Sequence, residues 1–111
     1  MAKFLAVYTG TPRETPPDLD PAAMAKGMQE WGAWMERHAS IVLDAGGPLG
    51  RTKKVSKAGV EDVRNNMSGY TILEADSIEA AAALFKDHPH FSIFPGDGIE
   101  IMPVMPIPTA P

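Results

Sequence analysis

The sequence lacks cysteine, is short of basic charge and has no long hydrophobic run. Without cysteine there is no disulfide scaffold, no thiolate nucleophile and no Cys-based zinc or iron–sulfur site. Lys+Arg 10 against Asp+Glu 14 gives a formal net charge of -4, which argues against nucleic acid as a partner. The apolar run at residues 4–8 is too short for a signal-peptide core or a membrane span. We therefore expect a cytoplasmic protein with no membrane or nucleic-acid partner.

The composition that remains is that of a single globular domain. The chain has 111 residues, of which 44% are hydrophobic and 22% charged. This balance excludes wholesale disorder, and the length is too small for two separate cores. We expect residues 1–111 to form one domain.

Hydrophobic patterning and turn residues divide the chain into strands, helices and loops. The first helix has a strong start signal, with Asp20 as the N-cap and Pro21 in the first turn. The predicted order is a strand at 3–9, a proline-rich loop to residue 19, a helix at about 21–39, a short strand at 41–43 broken by glycines at 46–50, a polar hairpin at 51–63, a strand at 67–75, a helix from Asp76 that ends before Pro89, and a strand at 99–104. The order predicts an α+β fold of the ferredoxin-like, split βαβ type: an antiparallel sheet with two helices on one face and an extra hairpin.

Each predicted helix carries an apolar stripe that we expect to pack on the sheet. In the first helix the stripe has spacings of 4, 3, 4 and 3 residues. The stripe residues are Met24, Met28, Trp31, Met35 and His38 in the first helix, and Ile78, Ala81, Ala82 and Phe85 in the second.

The strands are apolar on both faces, although two helices cover one face. In the first strand Phe4 and Tyr8 face one way, whereas Leu5 and Val7 face the other. An uncovered apolar face of several strands exceeds what soluble monomers usually expose. We therefore expect a homodimer with a two-fold axis, whose sheets face each other and enclose a cavity.

The segment Asp87-His88-Pro89-His90 is the most chemically suggestive part of the chain. Two imidazoles and a carboxylate on one turn suit general acid/base catalysis or a divalent metal, but no third ligand can be named. The alternative is a helix-terminating loop with solvated histidines. His38 is either an acid/base group at the cavity edge or a histidine that interacts with the helix dipole. The candidate catalytic residues are His88, His90, Asp87 and His38, with no metal and no cofactor.

Other features favour structural roles. The basic run of Arg51, Lys53, Lys54 and Lys57 either steers an anionic substrate or forms a solvated hairpin that blunts a sheet edge, and the second interpretation is favoured. The glycine-rich stretch at 46–50 lacks the spacing of a phosphate-binding loop. Aromatic side chains are expected to line the cavity, among them Tyr8, Tyr70 and Trp34.

Six stretches together resemble the YCII-related family and its DGPF-type relatives. They are residues 4–8, 31–34, 44–50, 68–81, 88–89 and 99–104. The resemblance covers most of the chain and implies a dimeric α+β barrel. The Asp-Gly-Pro-Phe motif itself is absent, because residues 63–66 read Val-Arg-Asn-Asn. The His-Asp pair of YCII-type members is not carried over either, since Met24 and Met28 stand in the first helix and His88 precedes Pro89.

The resemblance implies a small polar or aromatic ligand inside the barrel and, if the protein is an enzyme, cofactor-free lyase or isomerase chemistry. The alternative is a non-catalytic dimerisation or interaction module whose barrel is filled by side chains. A cavity with a few convergent polar groups would distinguish the binding protein from the module.

Overall fold

The computed structural model describes residues 1–10, 20–92 and 96–108. Within them the bounds of the elements are β1 Ala2–Thr9, α1 Pro21–Arg37, β2 Val42–Pro48, β3 Thr52–Ser56, β4 Gly59–Val63, β5 Met67–Ala75, α2 Ile78–Ala83, α3 Pro89–Ser92 and β6 Gly98–Pro103. Of the predicted proline-rich loop, residues 11–19 lie outside the described part of the chain. None of the described helices has the length and apolar character needed to cross a membrane.

The main sheet is antiparallel and has four strands in the order β2-β5-β1-β6. Its central pair, β1 and β5, is in register from Ala2 opposite Ala75 to Tyr8 opposite Gly69. Strands β3 and β4 form a separate two-stranded sheet, which is the predicted hairpin. The strand order is that of a ferredoxin-like, split βαβ protein, so the predicted α+β fold is confirmed.

One face of the main sheet carries the hydrophobic core. Alternate residues of β1 and β5 pack there against α1, α2 and the residues that follow α2. The buried cluster consists of Phe4, Ala6, Tyr8, Trp34, Leu73, Ala75, Ala81 and Phe85. The intervening side chains point to the other face, on which no described helix packs, and we call it the open face. Its apolar side chains are Leu5, Val7, Tyr70, Ile72, Met102 and Val104.

Helix α1 begins where the sequence predicted, and Trp31 and Met35 of the predicted stripe pack against the buried cluster, but the first turns of the stripe do not. Asp20 is the N-cap, and its carboxylate accepts a hydrogen bond of 2.7 Å from the Ala23 amide. Met28, however, is 63% exposed, whereas Gly27 and Trp34 are buried. Gly27 thus takes a place on the packed side of the helix, whereas Met24 and Met28 remain exposed.

The second helical region also differs in detail. Its N-cap is Ser77 rather than Asp76, since the Ser77 hydroxyl accepts a hydrogen bond from the Ala80 amide at 3.1 Å. Ala81 and Phe85 are buried as predicted, but Ile78 and Ala82 are exposed because α2 is a short helix that ends at Ala83. The turn that follows leads into α3, which begins at Pro89.

Strand β2 runs through the glycines that were expected to end it. It pairs with β5 from Val42 to Pro48, with register shifts on both sides of Asp44. Gly46 has a φ of 71°, and a Cβ atom at this position would collide with the Tyr70 carbonyl group. Glycine therefore allows the strand to bulge and continue, as the left-handed region disfavours other residues.

Candidate functional site

The two histidines that flank Pro89 are buried between α1 and the sheet, so the interpretation as solvated histidines is wrong. His88 has no exposed surface and His90 is 5% exposed. Rings enclose His88 on several sides, with centroid distances of 4.3 Å to Trp31, 4.7 Å to Trp34 and 5.1 Å to Tyr8. The turn between α2 and α3 thus inserts an imidazole into the aromatic part of the core.

Hydrogen bonds in this layer form a chain with a defined direction. The Thr71 hydroxyl donates to the Ala45 carbonyl at 3.1 Å. Because Thr71 has a single hydroxyl hydrogen, its 2.7 Å contact with the Tyr8 hydroxyl must be donated by Tyr8. The Tyr8 oxygen then accepts from Nε2 of His88, at 3.5 Å. Proton donation therefore runs from His88 through Tyr8 and Thr71 to Ala45.

The other nitrogen of His88 fixes the tautomer. The amide of His90 donates to Nδ1 of His88 at 3.0 Å, so the hydrogen of the neutral ring lies on Nε2. Burial, with smaller contributions from His90 and His38, lowers the pKa of His88 to about 3. Burial also raises the pKa of Tyr8 to about 12, although the hydrogen bond to Thr71 acts in the opposite direction. At neutral pH both groups are uncharged, and both are donors.

His90 is held in the same tautomer as His88. Its Nε2 lies 2.8 Å from the Thr9 carbonyl, which can only accept, so Nε2 carries the hydrogen. In the neutral ring Nδ1 is then the nitrogen that can accept a hydrogen bond or a proton. The same Thr9 carbonyl accepts from the Asp97 amide at 3.0 Å, and the Thr9 hydroxyl donates to the Asp97 carboxylate at 2.7 Å. A Cβ atom at Gly96 would overlap the His90 ring, so glycine is required for this packing.

The other two sequence candidates lie outside this cluster. Asp87 is exposed, and within the described residues its carboxylate makes no hydrogen bond or ion pair. His38 forms the C-cap of α1, with its ring 4.5 Å from that of Trp34. Burial, followed by the charge of Arg37, lowers the pKa of His38. The structure thus brings together His88 and His90 but neither Asp87 nor His38.

Sequence reasoning missed several polar members of the cluster. Thr71 is fully buried although it is polar, and it occupies a core-facing position of β5 between Gly69 and Leu73. A polar residue on the core-facing side of an apolar strand was the available signal. Thr9 and Asp97 gave no such signal, because their contact joins positions far apart in the sequence.

Among the described residues, no group of three or more His, Asp or Glu side chains is placed to hold a metal ion. Nδ1 of His88 is also engaged by a backbone amide. Hydrogen bonds to backbone groups therefore hold both histidines in place.

Comparisons with known proteins bear on the fold. No protein-family model matches this chain, and no curated protein sequence matches it. Among solved structures, the chain is similar to 5-chloro-2-hydroxyhydroquinone dehydrochlorinase (TftG) from Burkholderia phenoliruptrix AC1100, which was solved in complex with 2,5-dihydroxybenzoquinone. The match has a TM-score of 0.54 and 14% sequence identity, and it covers 90% of each chain. At this identity the likeness shows a related α+β fold.

Proposed function

We propose that this chain is a YCII-related protein that binds a small oxygen-bearing ring compound between α1 and the sheet and catalyses cofactor-free proton transfer on it. The observation that carries the proposal is the pairing of His88, which presents a hydrogen on Nε2, with His90, which presents a basic Nδ1. Consecutive hydrogen bonds hold both rings in these states. Polar groups between apolar walls are typical of ligand sites.

The two histidines have complementary roles in the proposed reaction. Nε2–H of His88 donates to an oxygen of the ligand, and a neutral imidazole can polarise a carbonyl in this way. The adjacent C–H becomes more acidic, and Nδ1 of His90 accepts its proton while the C–H electron pair forms an enolate. Return of the proton to another carbon completes an isomerisation and restores His90. No electrons leave the ligand, so no redox cofactor is needed.

The long contact between His88 and Tyr8 is the point at which a ligand oxygen can enter. At 3.5 Å this is the weakest link of the chain, and catalytic hydrogen bonds are often long before the ligand binds. Because His88 is fully buried, binding requires a side chain to move. Trp31 is the half-buried ring at 4.3 Å from His88, and its rotation would open the space.

The similar structure supports a ring-shaped ligand. That enzyme is named for a chlorinated hydroxyhydroquinone and was solved with a dihydroxybenzoquinone, both of which are flat rings with oxygen substituents. In the present chain Trp31, Trp34 and Phe85 offer aromatic faces and edges around His88, and such rings pack well with one another. His88 and His90 supply the polar ends of the same site.

We further propose that the working unit is a homodimer formed through the open face. Its apolar side chains include Met102 and Val104, which are 38% and 44% exposed. In a two-fold dimer each copy can cover this face of the other.

One observation favours the alternative, a non-catalytic interaction module. Among the described residues every buried side-chain nitrogen or oxygen already has a hydrogen-bond partner. A core that is fully satisfied without a ligand can serve stability alone. The experiment must therefore detect chemistry as well as binding.

The test uses a panel of hydroxyquinones and cyclic ketones, with 2,5-dihydroxybenzoquinone as the first probe. Binding is followed by the rise in thermal midpoint, since a ligand stabilises the state that binds it. Proton transfer is followed by NMR as exchange of the probe's ring C–H for deuterium in D2O. We expect both signals from the wild-type protein. His90→Gln should slow the exchange about 100-fold and retain most of the thermal shift.

Variants of the other two histidines, His88 and His38, distinguish the possible outcomes. His88→Gln should weaken both exchange and binding, since it removes the donor to the ligand oxygen. His38→Gln provides a matched histidine replacement outside the cluster, and a loss as large as that of His90→Gln would move the reaction away from the proposed pair. A panel that produces neither a thermal shift nor exchange would favour the interaction module.

A further inference from the structure

This chain has one region with a net positive charge, and the rest of it has a net negative charge. Residues 51–64 contain five basic side chains (Arg51, Lys53, Lys54, Lys57, Arg64) and two acidic ones (Glu61, Asp62), which gives +3. The whole chain has a formal charge of -4, so the other residues sum to -7. The hairpin is thus a basic element attached to an acidic body.

The same hairpin stands apart from the fold. It forms its own two-stranded sheet and makes at most isolated contacts with the other described elements. The molecule measures 56 × 39 × 18 Å and has a radius of gyration of 15.9 Å, compared with about 13 Å for a compact chain of this size. The hairpin therefore contributes little to the packing of the main sheet.

An exposed apolar pair lies at the outer end of this hairpin. Val55 is directly opposite Val60, and they are 77% and 64% exposed. The adjacent pair on the same face is the Lys53–Asp62 salt bridge, at 2.8 Å. A two-stranded hairpin alone is only marginally stable in water, so this one gains by burying its valines against another surface.

We propose that the hairpin is an arm that docks on the open face of a second copy of this chain. The inference rests on the proposed homodimer and names the element that holds the two copies together. Charge complementarity identifies the occupant, because a +3 arm approaches a body of -7. On the open face Glu74 lies opposite Lys3, and Glu100 adds a further acidic group. In a two-fold dimer each copy gives one arm and receives one.

Nucleic acid is a poorer occupant for the same arm. The body's charge of -7 repels a phosphate backbone, whose binding relies on a net positive surface. The lysines that would attract a polyanion are placed equally well to attract the acidic body of a second copy.

The first test measures the dimer dissociation constant by sedimentation equilibrium. Arg51→Gln with Lys57→Gln removes two charges from the arm, and Lys26→Gln with Lys86→Gln removes two from the helix side as a matched control. We expect the arm variant to weaken the dimer about tenfold at low salt and the control to change it less than about twofold. The difference should shrink at about 1 M salt, where charges are screened within about 3 Å.

The valine pair gives a second variant, which does not depend on charge. Val55→Ser with Val60→Ser should weaken the dimer at all salt concentrations, because it removes the apolar contact and leaves the lysines in place. Circular dichroism checks that the main sheet is intact. A wild-type monomer would contradict both the dimer and the arm. A stable dimer that both arm variants leave unchanged would contradict the arm alone.

Position 60 can also show where the arm lies. The chain has no cysteine, so Val60→Cys carries a single site for a photo-activated cross-linker. We expect cross-links to peptides of β1, β5 or β6 between two chains, identified with mixed light and heavy copies. Cross-links confined to one chain would overturn the docking. A dimer cross-linked through other peptides would keep the homodimer but reject this contact.

Discussion

The two faces of the main sheet are built from neighbouring residues of the same strands, yet they end in different surroundings. On β5, Leu73 is completely buried beneath the helices, whereas Ile72 on the open face is half-buried. Alternation along a strand separates the two sets of side chains. The helix face is completed within one chain and even contains a polar network. The open face is apolar without being completed, which is why we assign it a second copy.

The largest effect should come from truncating the two neighbours on β5. Leu73→Ala leaves a cavity in the core and should cost about 2–5 kcal/mol in the free energy of unfolding. Ile72→Ala removes a side chain of the same size from the open face. If the second copy covers this face, its cost should depend on protein concentration. Urea unfolding at several concentrations measures both.

Comparison of Leu73→Ala with Ile72→Ala shows whether the open face is covered or solvated. The cost of Leu73→Ala should be nearly the same at every concentration after allowance for dimer formation. A cost of less than about 0.5 kcal/mol for Ile72→Ala at all concentrations would mean that the open face is simply solvated. Concentration dependence in Ile72→Ala that is absent in Leu73→Ala would support the covered face.

A smaller effect is expected from breaking the polar network on the helix face. Thr71→Val has nearly the same shape but removes the acceptor of the Tyr8 hydroxyl and the donor to the Ala45 carbonyl. Leaving such buried groups unpaired should cost about 1–3 kcal/mol. Thr71→Ser keeps the hydroxyl and provides the control. If Val is tolerated as well as Ser, the network does not contribute to stability.

Sequence patterns predicted the fold through features that are local. The Asp20-Pro21 helix start and the strand at 67–75 appear where they were expected, as does the hairpin. Each depends on neighbouring residues: a side chain that caps a helix, a fixed proline φ, or the alternation of apolar residues in a strand. The order of these elements then leaves few sheet topologies to consider.

Patterns failed where the outcome depends on packing between distant segments. The predicted stripe of α1 packs on the core at Trp31 and Met35, but Met24 and Met28 stay exposed. The approach of the helix to the sheet decides which of these residues are covered. His88 could have been placed in solvent or in the core. Its burial depends on Trp31 and Tyr8, which lie far away in the chain. The histidine pair could therefore be singled out from the sequence, but its burial and its hydrogen-bond directions could not.

The smallest predicted effect concerns the pH dependence of stability, and it tests the burial of His88 directly. The pKa of His88 is about 3 in the folded protein, compared with about 6.5 for an unfolded histidine. Between these values the unfolded chain binds a proton that the folded chain does not. The stability that buried, neutral His88 contributes to the folded protein is therefore fully present above pH 6.5 and is lost as the pH falls toward 3. From pH 6.5 to pH 5.5 the expected loss is about 1 kcal/mol.

His88→Gln should remove this loss, and urea titrations at each pH measure it. His38→Gln serves as the comparison, because His38 is half-buried and its pKa is lowered mainly by burial as well. For His38→Gln we expect a smaller change in the slope of the free energy of unfolding against pH, since water still reaches the His38 ring. Equal changes in the two variants would mean that His88 is no more enclosed than the histidine at the helix end. The helix face would then be open to solvent at the one place where the proposed chemistry requires it to be closed.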